Sequence, residues 1–361
     1  MAREMMVGDT RIADDTGCYV IAEIGTNHQG DVEVCKRLFK AAKECGAHAV
    51  KLQKRDNRNL FTRAMYGAAY ASENAFASTY GAHREYLEFG LKEFRELKAY
   101  AREIGITFFA TAFDRRSADF LAELDMPAFK IASGDLTNTP LLKHIARFGK
   151  PMFVSTGGGT MEDVRRAYDA IMPLNRQLCI MQCTAGYPPA WEELNIRVIE
   201  TFRNEFRDIV VGFSSHDSGI AMVLVAYMLG CRVVEKHFTL NRAMKGTDHA
   251  FSLEAPGLRR VCRDLERARI ALGDGIKRRY PSEEAPLYKM AKKLVAATDL
   301  SAGTALRAEH IAIKSPNDGT PPYMLDRFIG RRLKRPLKAD DNLILSDTEE
   351  LILCGTEEVR A

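Results

Sequence analysis

An alternation constrains this chain more than any other feature. From about residue 18, short runs rich in β-branched residues take turns with longer segments that carry apolar residues at helical spacing. The first run, Tyr19 to Ile24, is followed by a Gly-rich turn and by Asp31, a side chain suited to an N-cap. Apolar positions Val34, Leu38, Ala41, Ala42 and Cys45 then recur every three or four residues until Gly46 stops the segment. The same reading predicts strands at 48–53, 107–112, 127–132, 151–155, 178–183, 209–214 and 232–238. Helices fall near 91–104, 115–124, 139–148, 161–172, 193–204, 218–229 and 256–271. Strands that each need a helical crossover to return to the same end must pair in parallel. Eight such units in about 260 residues predict an α/β fold, a closed (β/α)8 TIM barrel, with an open doubly wound sheet as the rival.

After residue 275 the rhythm breaks. Residues 276–291 read as a charged linker. Residues 292–352 read as a small β-rich domain with short strand-like runs at 293–297, 311–313 and 335–337, and 353–361 read as a tail. About 60 residues make a marginal core, so this domain is expected to lean on a partner surface. Lys and Arg total 52 against 48 Asp and Glu, and a net charge of +4 is too small to suggest nucleic-acid binding. There is no apolar run of eighteen residues to span a membrane and no secretory layout at Met1. The eight cysteines are scattered, without a CxxC pair, as expected of buried free thiols in a reducing cytoplasm.

In a barrel of this kind the C-terminal strand ends carry the chemistry. Here all eight predicted strands finish in polar residues: Glu23; Lys51, Gln53 and Lys54; Thr111 and Asp114; Lys130, Ser133 and Asp135; Ser155; Thr184 and Tyr187; Ser214, Ser215 and His216; and Glu235, Lys236 and His237. Any one is ordinary, whereas eight together are hard to read as accident. His216 and His237 end neighbouring strands, and neutral imidazoles there either bind one divalent ion or merely hydrogen-bond backbone or phosphate. His48, His144 and His310 read as surface residues. The turn Ser155-Thr-Gly-Gly-Gly159 before a helix offers backbone N–H groups to an anion, and Lys51 and Lys130 are expected to aim at the same mouth.

The segments IAEIGTNHQGD, AVKLQK, FKIASGD, STGGG, QCTAGYP, GFSSHDSG, EKHFTL and KGTDHAFSLEAPG, taken in that order, resemble the sialic acid (N-acylneuraminate or nonulosonate) synthases. Those enzymes condense phosphoenolpyruvate with an N-acylmannosamine. The stretch TPPYMLDRFIGRRLKRPLKADDNL is similar to the end of their antifreeze-like (SAF) domain. The resemblance runs from about residue 17 to 350. It implies a domain-exchanged homodimer in which one chain's small domain covers its partner's barrel mouth. It also implies that Lys51, Thr111, Lys130, Ser133, Ser155 and Ser214 hold phosphoenolpyruvate. His216 and His237 would be ligands of manganese, or of a similar divalent ion such as magnesium or cobalt. Gln53, Asp135 and Tyr187 would meet the sugar, and Glu23 and Asp248 would be the catalytic carboxylates.

Two departures bear on the sugar. Bacterial enzymes acting on free N-acetylmannosamine carry an arginine in a Lys-Arg-Pro-Gly segment, where this chain reads Lys314-Ser315-Pro316-Asn317. They also carry an Asn before the Tyr-Pro turn, where this chain has Ala185-Gly186-Tyr187. Both features, with AKECGAHAVKLQK, STYGAHREYLEF and SGDLTNTP, resemble the animal-type enzymes, which take the 6-phosphate and form a 9-phosphate. The expected acceptor is therefore N-acetylmannosamine 6-phosphate. The unphosphorylated sugar, a related 2,4-diamino sugar or mannose 6-phosphate stand as alternatives. The cations of the loop after the second strand, Lys54, Arg55, Arg58 and Arg63 with His83 and Arg84, are candidates for the phosphate. Two other readings compete: a synthase of 3-deoxy sugar acids on the same barrel, and a non-catalytic carbohydrate-binding protein.

Overall fold

The computed structural model describes residues 3–350. Cys354 and the tail 353–361 lie outside the described residues. The chain divides into two compact units between Gly273 and Asp274.

The first unit opens with a hairpin that the sequence reading did not anticipate, β1 (Glu4–Val7) and β2 (Thr10–Ala13), paired antiparallel. Gly8, with φ +57°, takes the left-handed position that a two-residue hairpin loop needs. Eight parallel strands follow: β3 (Tyr19–Gly25), β4 (Ala49–Lys54), β5 (Thr107–Ala112), β6 (Phe129–Ile131), β7 (Met152–Ser155), β8 (Leu178–Cys183), β9 (Val210–Ser215) and β10 (Val233–His237). Each pairs with the next, and β10 pairs with β3, so the sheet is a closed barrel and the doubly wound alternative is excluded.

The period-2 alternation of a strand explains how one sequence supplies two cores. On β3, Val20, Ala22 and Ile24 face the helical layer, and Val50 and Leu52 do so on β4. Tyr19, Ile21, Ala49, Phe109, Ala128, Phe153, Cys179, Met181, Val210 and Val233 instead form a separate cluster with the hairpin residues Met5, Val7 and Ile12. These are the inward positions at the strand starts, so the hairpin stops the N-terminal end of the barrel with apolar side chains. Phe109 and Phe153 stack there at 5.4 Å.

Helices cover the outside. The helix Val32–Glu44 is capped by Asp31, which accepts from the N–H groups of Glu33 and Val34. Between β4 and the helix Leu91–Ile104 lies a long connection with short helices at Asn57–Leu60, Arg63–Gly67 and Tyr80–Tyr86. No described helix is long and apolar enough to cross a membrane. The seven described cysteines are free, and all but the half-buried Cys262 are buried.

In the second unit, the segment read as a linker contains a short helix, Glu284–Met290. Beyond it, β11 (Lys293–Ala296) pairs with β12 (Ile311–Lys314), and β13 (Arg332–Leu333) with β14 (Thr348–Glu349). The run at 335–337 forms only an isolated bridge, between Leu337 and Leu300. Leu294, Ala296, Leu300, Leu306, Phe328, Leu333, Leu337 and Leu343 make this unit's own core.

If the hairpin stops the barrel, Ile12→Ala should destabilise the first unit by about 2–5 kcal/mol, as truncation of a buried Ile does. The denaturant midpoint of the barrel transition reads this. An unchanged midpoint would show that the hairpin is only attached.

Candidate active site

Toward the C-terminal ends the inward positions change character. After Tyr19 and Ile21 comes Glu23; after Ala49 come Lys51 and Gln53; after Phe109, Thr111; after Ala128, Lys130; after Phe153, Ser155; and after Val233, Glu235 and His237. Together with neighbouring loop residues they line a cavity of about 470 Å³.

Four buried charges form its floor. Lys51 Nζ lies 2.6 Å from Glu23 Oε2 and 3.8 Å from Glu235 Oε1, and Lys130 Nζ lies 3.7 Å from the same Glu235 oxygen. Lys51 donates to Thr111 Oγ1 at 2.6 Å, and Lys130 donates to Ser155 Oγ at 2.6 Å. Gln53 Nε2 donates to Glu23 Oε1 at 2.8 Å, and Ser214 Oγ to Glu235 Oε1 at 3.2 Å. Burial above all raises the Glu23 carboxyl to about 7, with Glu235 adding repulsion and Lys51 pulling the other way. Burial also pushes Glu235 upward, but Lys130 and Lys51 outweigh it, so Glu235 stays below its ordinary value. The pair is thereby split, one carboxyl poised near neutrality and one firmly ionised.

The turn after β7 closes one side. Gly157 N–H donates to Ser133 Oγ at 3.0 Å. A Cβ at Gly157 would stand 2.8 Å from that oxygen and 2.9 Å from Ala185 Cβ, so only glycine allows this approach.

His216 and His237 face each other with ring centroids 5.3 Å apart, and Phe251 packs edge-on against both. His216 Nδ1 is 3.0 Å from the Thr184 carbonyl, which makes Nδ1 the donor and leaves the lone pair on Nε2. Burial first, then His237, lowers His216 to about 4, and burial lowers His237 as well. Both rings are therefore neutral near pH 7. His237 Nδ1 is buried without a hydrogen-bond partner, 3.8 Å from Asp248 Oδ2. Among the described residues no group of three or more His, Cys, Asp or Glu is arranged to hold a metal ion. Two neutral imidazoles with an orphaned ring nitrogen do fit an open metal site whose remaining positions fall to substrate and water.

Twelve of the thirteen residues expected from the sequence line the cavity. The exception is Asp135, which ends the turn Ser133–Asp135 outside the lining and accepts from Asn138 Nδ2 at 2.9 Å. Among the other strand-end residues, Lys236 does not join either. It lies on the outward side of β10, where its ammonium pairs with Asp217 at 2.9 Å and donates to the Asp217 carbonyl at 2.6 Å. Lys54 pairs with Glu88 at 3.0 Å. His83 is no cation: it is buried, accepts from Phe76 N–H at 3.1 Å, and is held to about 4, chiefly by burial. His48 is exposed, as expected, and His144 and His310 are half-buried.

Glu235, expected only as a polar strand end, proves to be part of the floor, and Phe113, which carries no role in the sequence reading, also lines the cavity. Of the loop cations expected as phosphate candidates, Arg55 and Arg84 line the cavity, Arg55 sharing one face of an extended segment with positions 51 and 53.

A closed barrel whose mouth gathers lysines, carboxylates and neutral histidines defines an enzyme of the (β/α)8 class. Comparison with known proteins gives the family. The model of the NeuB family matches residues 38–277, and that of the SAF domain matches 293–347. The N-acetylneuraminate-9-phosphate synthase of Mus musculus is 39% identical, covering 95% of this chain and 95% of its own length. The N,N'-diacetyllegionaminic acid synthase of Legionella pneumophila is 33% identical over 92% of this chain and 95% of its own. Among solved structures, the N-acetylneuraminic acid (sialic acid) synthetase of Leptospira borgpetersenii superposes with a TM-score of 0.70 at 28% identity, covering 79% of this chain and 95% of that one. The chain belongs to the NeuB family, the sialic acid synthases, and carries a C-terminal SAF domain.

Lys51 keeps Glu23 from holding a proton at higher pH. In Lys51→Met, infrared difference spectra at about pH 8 should show a protonated carboxyl band that wild type lacks. The band should vanish in the double variant with Glu23→Gln. A Lys51→Met spectrum without the band would mean that the floor is not coupled in this way.

Proposed function

We propose that this enzyme condenses phosphoenolpyruvate with an N-acylmannosamine, as its 6-phosphate, to give a sialic acid 9-phosphate and inorganic phosphate. The observation that carries this reading is the pairing of Lys51 with Thr111 and of Lys130 with Ser155 at one cavity floor, beside two neutral imidazoles. Two buried ammonium groups with hydroxyl partners suit a small ligand bearing both phosphate and carboxylate. Ser133, Ser214 and the Gly157 turn would complete its cradle.

In the reaction, C3 of phosphoenolpyruvate bonds to the aldehyde carbon as the aldehyde oxygen becomes a hydroxyl. Water adds at C2, and the C2–O bond to phosphate breaks as C2 becomes a ketone, the two protons of that water ending on the new hydroxyl and on the phosphate. Positive charge that develops at C2 is stabilised by Glu23. That carboxylate, poised near neutrality, then takes the proton from the incoming water, and Asp248 is the alternative acceptor. Lys51 and Lys130 neutralise the departing phosphate by fixed charge. Gln53 and Tyr187 hold the open-chain sugar in place. A divalent ion, for which manganese is the proposal, would be held by His216 and His237 and would supply Lewis acidity to the aldehyde.

The reading extends to a cytoplasmic, domain-exchanged homodimer in which the small domain of one chain completes its partner's site. The 6-phosphate is supported by Ser315, which stands where a bacterial arginine would be. Its hydroxyl is engaged by Lys292 at 2.7 Å.

Phosphate release from phosphoenolpyruvate, assayed with each candidate sugar, tests the reading. N-Acetylmannosamine 6-phosphate should give a kcat/KM at least about tenfold above that of the free sugar, the value of one charge-assisted contact. Mannose 6-phosphate should be the weaker phosphorylated acceptor. Equal values, or release with none of these sugars, would refute it.

Exhaustive chelation should abolish activity and manganese should restore it. His216→Ala and His237→Ala should lose manganese binding by titration while remaining folded. Full activity after chelation would contradict the metal's role. Deleting the chain after about residue 285 should leave a soluble barrel with little synthase activity. Normal turnover by that fragment would exclude the small domain from the site.

A further inference from the structure

The loop after β4 carries more cations than one substrate needs, and the structure sorts them. Lys54 is paired with Glu88 and also donates to the Phe89 carbonyl. Arg58 is exposed and lies over the Tyr66 ring, Arg63 is exposed, and neither lines the cavity. Only Arg55 and Arg84 reach the lining.

Arg55 is an unusual side chain for a cavity wall. It is 8% exposed, and its guanidinium carbon lies over the Phe113 ring, 3.7 Å from the centroid. Its nearest carboxylate, Glu88, stands 3.9 Å away and is already engaged by Lys54 and by the Arg55 backbone N–H. One NH2 group donates to Gln53 Oε1 at 2.6 Å, which leaves the guanidinium with donors to spare, its charge answered only by the shared Glu88 and, at longer range, by Asp248. Arg84, half-buried on the helix Tyr80–Tyr86, donates to the Tyr80 hydroxyl at 3.2 Å. Among the described residues no carboxylate pairs with it. The two guanidinium groups are close enough to repel, and Arg55, burial first and Arg84 next, is held down to about 10. Two mutually repelling arginines at one cavity wall, with Glu88 shared with Lys54 and Asp248 attracting them only at longer range, make a place where an added anion is favoured.

The placement of this pair matters. Lys130 and Ser155 come from β6 and β7, whereas Arg55 follows β4 and packs on Phe113 after β5. Lys51 belongs to the floor, whereas Arg55 follows it by four residues just past the end of β4, so the cavity has two cationic regions at different levels. They are joined by the chain Arg55–Gln53–Glu23, with Gln53 bonding to both neighbours at 2.6 and 2.8 Å.

We propose that Arg55 and Arg84 form a second anion site, separate from the Lys51/Lys130 floor, whose ligand is the terminal phosphomonoester of the acceptor sugar. This rests on the 6-phosphate reading above and assigns the residues that carry it. A guanidinium pair offers forked donors to phosphate oxygens, and a sugar anchored there would have its other end toward Gln53 and Glu23.

The test is the ratio of kcat/KM for N-acetylmannosamine 6-phosphate to that for the free sugar. It is measured in wild type, Arg84→Met, Arg55→Met and, as a control outside the cavity, Arg58→Met. The KM for phosphoenolpyruvate reports whether the floor is intact, and if Arg55→Met does not fold, Arg84→Met decides. The expected result is a ratio well above one in wild type and in Arg58→Met, cut at least about tenfold by either cavity substitution through KM for the phosphorylated sugar. A high wild-type ratio that both cavity variants keep would overturn this assignment and leave the 6-phosphate reading standing. A wild-type ratio near one would overturn that reading, and this site with it.

Discussion

Glu23, Lys51, Glu235 and Lys130 sit inside a closed barrel with side chains no more than 7% exposed. Stripped of water, none of these charges is tolerable alone, and removing one partner of such a set typically costs about 3–5 kcal/mol. The other architectural features answer to that requirement. The strands must keep a register in which β3, β4, β6 and β10 present their charges at one depth, since a slip of one residue would turn every charge into the apolar helical layer. The apolar half of the barrel, closed by the hairpin, separates this polar layer from solvent at the opposite end.

The same logic explains pairs that do not touch the cavity. Lys236 and Asp217 are buried on the outer side, and their ion pair ties the end of β10 to the loop after β9. Ser215 Oγ donates to the same Asp217 carboxylate. His216 and His237 are the chain neighbours of this pair, so the contact that satisfies two buried charges also fixes where the two imidazoles stand. Phe251 fills the space beside both rings.

Much of this was legible in the sequence, for identifiable reasons. Eight strands and their polar ends could be read because β-branched runs and helical periodicity are local signals, and twelve site residues followed from them and from the motif resemblance. The hairpin at Glu4–Val7 and Thr10–Ala13 was not read, although Gly8-Asp9 between alternating residues is a turn signal; four-residue strands give too few repeats to stand out. Strand ends alone do not say which face a side chain takes. Lys236 looks like a site lysine in sequence, yet the alternation that sends Glu235 and His237 inward sends it out. Asp135 lies one turn past its strand, where period-2 reasoning no longer applies, and it bonds Asn138 instead. In the loop cations, charge was visible but pairing was not, since only three dimensions show that Glu88 serves Lys54 while Arg84, among the described residues, forms no ion pair and is attracted to Asp248 only at longer range.

The central claim is that the buried lysines are held in readiness for phosphoenolpyruvate, with Glu23 and Glu235 as their partners until it arrives. Titration calorimetry of phosphoenolpyruvate into wild type and into Lys130→Met addresses it without turnover or sugar. Wild type should bind, and Lys130→Met should bind at least about tenfold more weakly, since a charge-assisted hydrogen bond contributes about 1.5–3 kcal/mol. Undiminished affinity in a folded Lys130→Met protein would contradict the account, because the four buried charges would then be scaffold alone.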